Sequence, residues 1–238
     1  MMLTDEYVVF PEFNVVTSAV RVSDGDPSRL PPAERKEIET AVPGRAREFA
    51  AGRQAARRAL ARIGFDGVTV PRSPERCPIW PKGIVGSISH SQNIAGAAVS
   101  RDDRLAGLGF DIEQPTVARP EDIVSKVMTV EEIGQLRFLD EKQLGNHLAL
   151  IVSCKEAAYK AVNPVIGEYF DFPDIEIELD QGSNSFVARA SASLHSGEWI
   201  NGGRGHHGSL AGQIVTAFVV TADRFPRHCR NDPAGLQI

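Results

Sequence analysis

Residues 105–113 read Leu-Ala-Gly-Leu-Gly-Phe-Asp-Ile-Glu, a β-like stretch that ends in two carboxylates. Because side chains alternate across a strand, Asp111 and Glu113 point to the same face. Neighbouring carboxylates repel each other unless a cation lies between them or one is protonated. Oxygen ligands at this spacing suit magnesium, and the alternative is a pair of solvated acids after a strand. The stretch therefore predicts a strand that ends at a candidate metal site.

Two long helices and several strands are predicted around this stretch. Residues 45–63 form the first helix, and residues 142–162 form the second, with Pro164 just past its end. A capping box at Thr129–Glu132 opens a short helix. The stretch 195–209, rich in glycine and histidine, reads as an exposed loop. The β-like stretches are 84–89, 94–99, 105–112, 175–179, 186–190 and 214–220, with a turn at 90–93.

The order helix, strand, strand, strand thus occurs twice. It predicts an α+β fold of two similar halves, residues 1–107 and 108–238, packed as a pseudo-dimer. Each half has a helix and a three-stranded antiparallel sheet. Ligand sites favour interfaces of this kind.

Composition excludes several other classes of protein. The 238 residues are 42% hydrophobic and carry a net charge of -5, which argues against a nucleic-acid binder. No apolar segment approaches the roughly 20 residues of a membrane span. Three widely spaced cysteines form no zinc or disulfide pattern, and the acidic N-terminal stretch is unlike a signal peptide. A cytoplasmic protein that does not bind membranes is expected.

A second candidate site lies on the second helix, in Lys155-Glu-Ala-Ala-Tyr-Lys160. Glu156 and Lys160 are four residues apart and share a helix face, as an ordinary exposed ion pair would. Lys155 falls on the apolar stripe of the helix. Its ammonium group must therefore reach water or meet an anion.

Two further features suit phosphate binding. Gly86-Ser-Ile-Ser-His-Ser91 leaves a strand with hydroxyls, an imidazole and a turn backbone, which can cradle a phosphate or simply form a hairpin turn. The first helix holds six arginines and no lysine, which suits phosphate better than a merely solvated face does. These arginines are Arg45, Arg47, Arg53, Arg57, Arg58 and Arg62.

The joint order of these motifs resembles the 4'-phosphopantetheinyl transferases, in particular the larger monomeric kind that serves siderophore, nonribosomal peptide and polyketide synthesis. The N-terminal stretches Leu-Pro-Pro-Ala-Glu (30–34) and Arg-Ala-Arg-Glu-Phe-Ala-Ala-Gly-Arg (45–53) are similar to the enterobactin-synthetase branch. Trp80-Pro-Lys-Gly83 precedes the Gly86–Ser91 motif, as the family pattern requires. The resemblance covers roughly residues 30–180, and Val152 and Cys154 depart from its usual residues.

The resemblance implies a transfer of 4'-phosphopantetheine from coenzyme A to a serine of an acyl or peptidyl carrier protein, with release of 3',5'-ADP. It implies magnesium, with manganese as an alternative, on Asp111, Glu113 and Glu156. Lys160 is expected at the diphosphate, and either Glu156 or a water on the metal is the base. The resemblance also implies a set of contacts to coenzyme A. These are Arg45, Arg53, Arg76, Lys82, Ser89, His90, Lys155 and Lys160.

Other functions stay open from the sequence. A magnesium phosphotransferase acting on another nucleotide would use the same carboxylates but would not need coenzyme A. A non-catalytic module that binds coenzyme A or a carrier protein would show binding without turnover. A nucleic-acid-binding protein would need an aromatic platform as well as the arginine helix.

Overall fold

Two layers of helix on sheet build the protein, whose computed structural model describes residues 7, 9–115, 121–180 and 182–224. The helices are α1 (Pro32–Lys36), α2 (Pro43–Arg62), α3 (Glu121–Val127), α4 (Val130–Gln135), α5 (Glu141–Ile166) and α6 (Gly197–Gly202). The strands are β1 (Val16–Arg21), β2 (Val85–His90), β3 (Ile94–Ser100), β4 (Leu105–Glu113), β5 (Ile175–Asp180), β6 (Ser185–Ala190), β7 (Arg204–Leu210) and β8 (Gln213–Thr221).

The first layer packs α2 on an antiparallel sheet of order β1-β3-β2. Ala51, Ala55 and Ala59 recur at helical spacing on α2 and are fully buried against the sheet. These small side chains bring the helix axis close to the strands. The arginines of the same helix are thereby left to its other faces.

The second layer packs α5 on an antiparallel sheet of order β4-β8-β7-β6-β5. Its core joins α5 to the sheet through Ile151, Ala158 and Val162, together with Phe186 and Phe218. Edge strand β4 of this sheet lies beside edge strand β2 of the first sheet, where Ser87 Oγ donates to Phe110 O over 3.3 Å. The two halves therefore meet along β2 and β4.

The mixed fold of helices and antiparallel sheets is confirmed, but the assignment of strands to sheets differs from the prediction. Residues 105–113 pair with β8 and so belong to the five-stranded sheet, not to the first half. The third strand of the first sheet is β1, which sequence periodicity did not indicate. The predicted boundary between residues 107 and 108 falls inside β4, and it stays a prediction.

Two local predictions were wrong. The stretch 195–209 contains α6 and most of β7 rather than an exposed loop. Helix α5 continues past Pro164 to Ile166, because Gly167 N still donates to Asn163 O and Gly167 then ends the helix with φ 73°. The capping box of Thr129 and Glu132 is confirmed. Within the described ranges, every helix is too short or too polar to cross a membrane.

Candidate active site

A cleft of about 420 Å³ lies where the two halves meet. Helix α2 and strand β2 supply one side, and strand β4 and helix α5 supply the other. Most predicted site residues line this single cleft. They are Arg45, Arg53, Arg76, Ser89, His90, Asp111, Glu113, Glu156 and Lys160.

The face of β4 that meets α5 is built from alternate residues. Gly107 and Gly109 stand where a Cβ atom would overlap the carbonyl oxygens of Ala161 and Ala157 on α5. The helix therefore lies directly on the strand. Asp111 and Glu113 continue the same alternation beyond the glycines, so their carboxylates emerge beside the helix at the cleft.

Asp111 is only 4% exposed, and three side chains donate hydrogen bonds to its carboxylate. Oδ1 accepts hydrogen bonds from Ser89 Oγ over 2.7 Å and from Lys160 Nζ over 2.6 Å. Oδ2 accepts one from Ser153 Oγ over 2.8 Å, and Ser153 in turn contacts Thr216 Oγ1 over 2.8 Å. Strands from both halves and helix α5 thus converge on one carboxyl group.

Glu113 and Glu156 complete an acidic group with Asp111. Burial raises the pKa of Glu113, and the nearby charges of Asp111 and Glu156 raise it further. Burial also raises the pKa of Glu156, although Lys160 partly offsets this at 3.7 Å. Burial lowers the pKa of Lys160, but the neighbouring carboxylates, Asp111 first, outweigh it, so the net pKa is raised and the ammonium stays charged.

The acidic group is not a preformed metal cage. Across the described ranges, no three His, Cys, Asp or Glu side chains come close enough together to hold a metal ion. At Asp111, the ammonium of Lys160 donates to Oδ1 over 2.6 Å.

On the opposite side of the cleft, Arg45 and Glu48 of α2 meet His90 of β2. The guanidinium of Arg45 donates to His90 Nε2 and also pairs with Glu48 over 3.0 Å. Burial and the charge of Arg45 lower the pKa of His90. His90 is therefore neutral at pH 7, with its Nδ1 3.8 Å from Glu48.

Arg53 is buried in the same region, and some of its donor atoms lack hydrogen-bond partners. Its side chain is 3% exposed, and neither Nε nor Nη2 has a hydrogen-bond partner. The guanidinium lies 4.4 Å over the ring of Phe49, and that of Arg72 lies 4.9 Å from the same ring. Burial lowers the pKa of Arg53 to about 10, which leaves it charged at pH 7. Two unpaired donors on a buried cation call for an anion.

Comparison with known proteins assigns the family. A family model of the 4'-phosphopantetheinyl transferase N-terminal domain matches residues 33–100, and one of the 4'-phosphopantetheinyl transferase superfamily matches residues 107–216. The 4'-phosphopantetheinyl transferase Svp of Streptomyces mobaraensis is 34% identical over 218 residues, which are 90% of this chain and 88% of that protein.

The chain belongs to the 4'-phosphopantetheinyl transferase superfamily. Enterobactin synthase component D of Salmonella typhi is also 33% identical over 204 residues, which are 79% of this chain and 77% of that protein. A solved holo-ACP-synthase from Plasmodium yoelii aligns with 49% of this chain and 94% of its own, with 17% identity and a TM-score of 0.40, a likeness too low to bear on function.

Membership confirms the family and the activity predicted from the order of the motifs. This 4'-phosphopantetheinyl transferase moves the 4'-phosphopantetheine group of coenzyme A onto carrier proteins. Neither a non-catalytic module nor a phosphotransferase acting on another nucleotide fits these relatives.

One predicted ligand of coenzyme A, Lys155, lies elsewhere. Its side chain is 0% exposed, and its ammonium donates to Glu132 Oε2 over 2.7 Å, to Val127 O over 2.8 Å and to Phe172 O over 3.0 Å. All three donors are occupied inside the protein. Lys155 therefore joins α3, α4 and α5 together, and its assignment to coenzyme A is corrected.

The six arginines of α2 do not all lie at the cleft. Arg57 pairs with the buried Glu34 over 2.6 Å, and Arg62 donates to Thr17 O over 2.7 Å, so these two stabilise the fold. Only Arg45 and Arg53 of the helix line the cleft. Arg76 lies at the cleft in an exposed position, and Lys82 is exposed and outside the lining.

Several residues of the site were not predicted from the sequence. Arg72 and Glu48 line the cleft, and Ser153 holds Asp111. The sequence carried one usable signal for Ser153: it stands four residues before Ala157 and eight before Ala161, on the face of α5 that meets β4. Arg72, in a loop after Pro71, carried none.

Proposed function

We propose that this cleft is the active site, with the phosphates of coenzyme A on the arginine side and the reacting phosphorus beside Asp111, Glu156 and Lys160. The observation that carries the proposal is the division of charge within one cleft. Arg45, Arg53, Arg72 and His90 supply cations and donors, and Asp111, Glu113 and Glu156 supply carboxylates. Coenzyme A needs the first set for its phosphates and the second set for a metal on its diphosphate.

The unpaired donors of Arg53 support placing a phosphate at the arginine side. Ser89 and His90 end strand β2 next to Arg45, so the 3'-phosphate would receive hydrogen bonds from an imidazole and a guanidinium, and from the Ser89 hydroxyl once that hydroxyl turns away from Asp111. Because His90 is neutral at pH 7, it would act mainly as a hydrogen-bond donor rather than as a full cation. Binding would have to draw Arg45 from His90 Nε2 toward the phosphate.

Magnesium fits the chemistry of the acidic group. Asp111 and Glu156 both raise the pKa of Glu113, the mutual repulsion that a divalent cation relieves. Asp111, Glu113 and Glu156 would hold the ion through carboxylate oxygens, the ligand type that magnesium prefers, and manganese would fit as well. When bound, the ion would neutralise charge on the diphosphate. Lys160 would then move from Asp111 to the diphosphate.

The carrier serine would attack the phosphorus nearest to pantetheine. A bond forms between serine Oγ and phosphorus, the bond from phosphorus to the bridging oxygen breaks, and 3',5'-ADP leaves with the electron pair. Glu156 would accept the serine proton through the carboxylate oxygen that does not hold the cation. Lys160 would stabilise the negative charge that grows on the 5'-phosphate of the leaving 3',5'-ADP.

We further propose that the enzyme acts as a cytoplasmic monomer on carrier domains of siderophore, nonribosomal peptide or polyketide synthesis. Similarity to enterobactin synthase component D favours the siderophore setting.

The test is transfer by chelator-treated enzyme to an apo carrier protein. Transfer should require added magnesium together with coenzyme A, and manganese should substitute in part. Full transfer with the chelator present would show that the reaction does not require a metal ion. Weak discrimination between coenzyme A and 3'-dephospho-coenzyme A would count against the phosphate site.

A further inference from the structure

A chain of two buried hydroxyls stands behind Asp111. Thr216 on β8 is the direct cross-strand partner of Asp111 on β4, and Ser153 on α5 lies between their side chains. Ser153 and Thr216 are each 0% exposed. We call these two residues the hydroxyl chain.

The direction of the hydrogen bonds follows from the count of protons. An ionised carboxylate only accepts hydrogen bonds, so Ser153 must give its single hydroxyl proton to Asp111 Oδ2. Thr216 must then donate to Ser153, either to Oγ or to the backbone carbonyl, both of which are 2.8 Å away. Ser153 thus holds Asp111 directly, and Thr216 holds Ser153 at its hydroxyl or at its backbone carbonyl.

The two oxygens of Asp111 consequently have different surroundings. Oδ2 is held by Ser153 inside the protein, whereas Oδ1 contacts Ser89 and Lys160 at the cleft. A carboxylate held in this way presents one oxygen to a cation and cannot rotate to present the other. Hydrogen bonds of this kind to a metal-ligating side chain orient it and tune its basicity.

We propose that Ser153 and Thr216 are positioning residues for the transfer reaction, which orient Asp111 so that Oδ1 alone faces the cation. This inference rests on the proposed metal role of Asp111. It assigns a function to two fully buried residues that do not line the cleft. Fully buried hydroxyls on a helix and a strand could otherwise serve folding alone, and that alternative predicts no effect on the metal.

The experiment measures manganese binding to the full-length enzyme with saturating coenzyme A, by electron paramagnetic resonance of free manganese. Ser153→Ala and Thr216→Val should raise the manganese dissociation constant by on the order of tenfold or more, the usual loss when a group that orients a metal ligand is removed. Thr216→Ser keeps the hydroxyl and should bind within a few fold of wild type.

Ser100→Ala is the matched control. Ser100 is also 0% exposed and donates to Phe13 O over 2.7 Å, far from the acidic group. It should lose folding stability as Ser153→Ala does, yet bind manganese normally. Wild-type affinity for manganese in the folded Ser153→Ala and Thr216→Val variants would overturn the positioning role of the hydroxyl chain but not the metal site. Failure of the wild-type enzyme to bind manganese would overturn the metal site as well.

Discussion

The two lysines of α5 lie five residues apart and roughly 140° apart around the helix axis. Each donates to a carboxylate, Lys155 to Glu132 over 2.7 Å and Lys160 to Asp111 over 2.6 Å. Lys155 is sealed in the protein with all its donors used, whereas the side chain of Lys160 is 26% exposed and faces the cleft. The same chemical pair therefore serves folding on one face of the helix and, in our proposal, catalysis on the other.

The largest expected effect is at the buried ion pair of Lys155 and Glu132. Lys155→Met leaves Glu132 as an unpaired buried charge, which should lower the free energy of unfolding by about 3–5 kcal/mol. Urea unfolding measures this loss, and the folded fraction should still transfer phosphopantetheine at a near-normal rate.

A double variant checks the cause. Lys155→Met combined with Glu132→Gln removes both charges, so it should be more stable than Lys155→Met alone. A Lys155→Met enzyme that is as stable as wild type but has lost turnover would contradict the structural role of Lys155 and would place this residue in the active site.

The matched change at the cleft is Lys160→Met, which should act on turnover. The methionine keeps the length of the stem but removes the charge that stabilises the 5'-phosphate of the leaving 3',5'-ADP. We expect kcat to fall by roughly a hundredfold to a thousandfold, with a much smaller change in the free energy of unfolding. Single-turnover kinetics with saturating carrier protein measures the chemical step. A stability loss as large as that of Lys155→Met, with normal turnover, would contradict the proposed division of roles.

Glu156→Gln tests whether Glu156 is the general base. The amide keeps the shape and one oxygen but cannot accept the serine proton. Turnover should fall by roughly a hundredfold or more, while coenzyme A still binds with magnesium within a few fold. Calorimetry gives the binding and single-turnover kinetics gives the rate. A variant that reacts as fast as wild type would show that Glu156 is not the base.

How far the sequence predicts this structure depends on whether the partner of a residue is local. The apolar periodicity of α5 placed Lys155 on the buried stripe and required its ammonium group to reach water or meet an anion, and the structure shows an anion. The anion, Glu132, lies 23 residues earlier in the chain, and the local pattern indicated its capping role but not its burial. Lys155 was therefore assigned to coenzyme A.

Strands, too, were predicted where the pattern is local and missed where distant contacts decide the structure. Alternating strands such as β5 were predicted, but β7 was read as a loop because it is rich in glycine. Gly203 and Gly205 are needed because a Cβ there would overlap the rings of Phe218 and Phe186. Contacts of that kind are set by tertiary packing, as is the pairing of β4 with β8.

The smallest expected effect is at His90, on the arginine side of the cleft. His90→Ala removes a hydrogen bond to the 3'-phosphate, so affinity for coenzyme A should fall on the order of tenfold. Affinity for 3'-dephospho-coenzyme A should change little. Because the pKa of His90 is lowered, protonation adds charge only as the pH falls below the usual histidine range, so the wild-type preference for the 3'-phosphate should grow toward acidic pH. Equal losses for both ligands in calorimetry would rule out this contact.

The most direct test of the central claim, that the acidic group in the cleft performs the transfer, is the mass of an apo carrier protein after incubation with coenzyme A, magnesium and enzyme. Wild-type enzyme should add one phosphopantetheine group to the carrier. Asp111→Ala, confirmed as folded by circular dichroism, should add none in the same time, because Lys160, Ser89 and Ser153 lose the carboxylate they converge on. Transfer at a near wild-type rate by the folded Asp111→Ala enzyme would contradict the account.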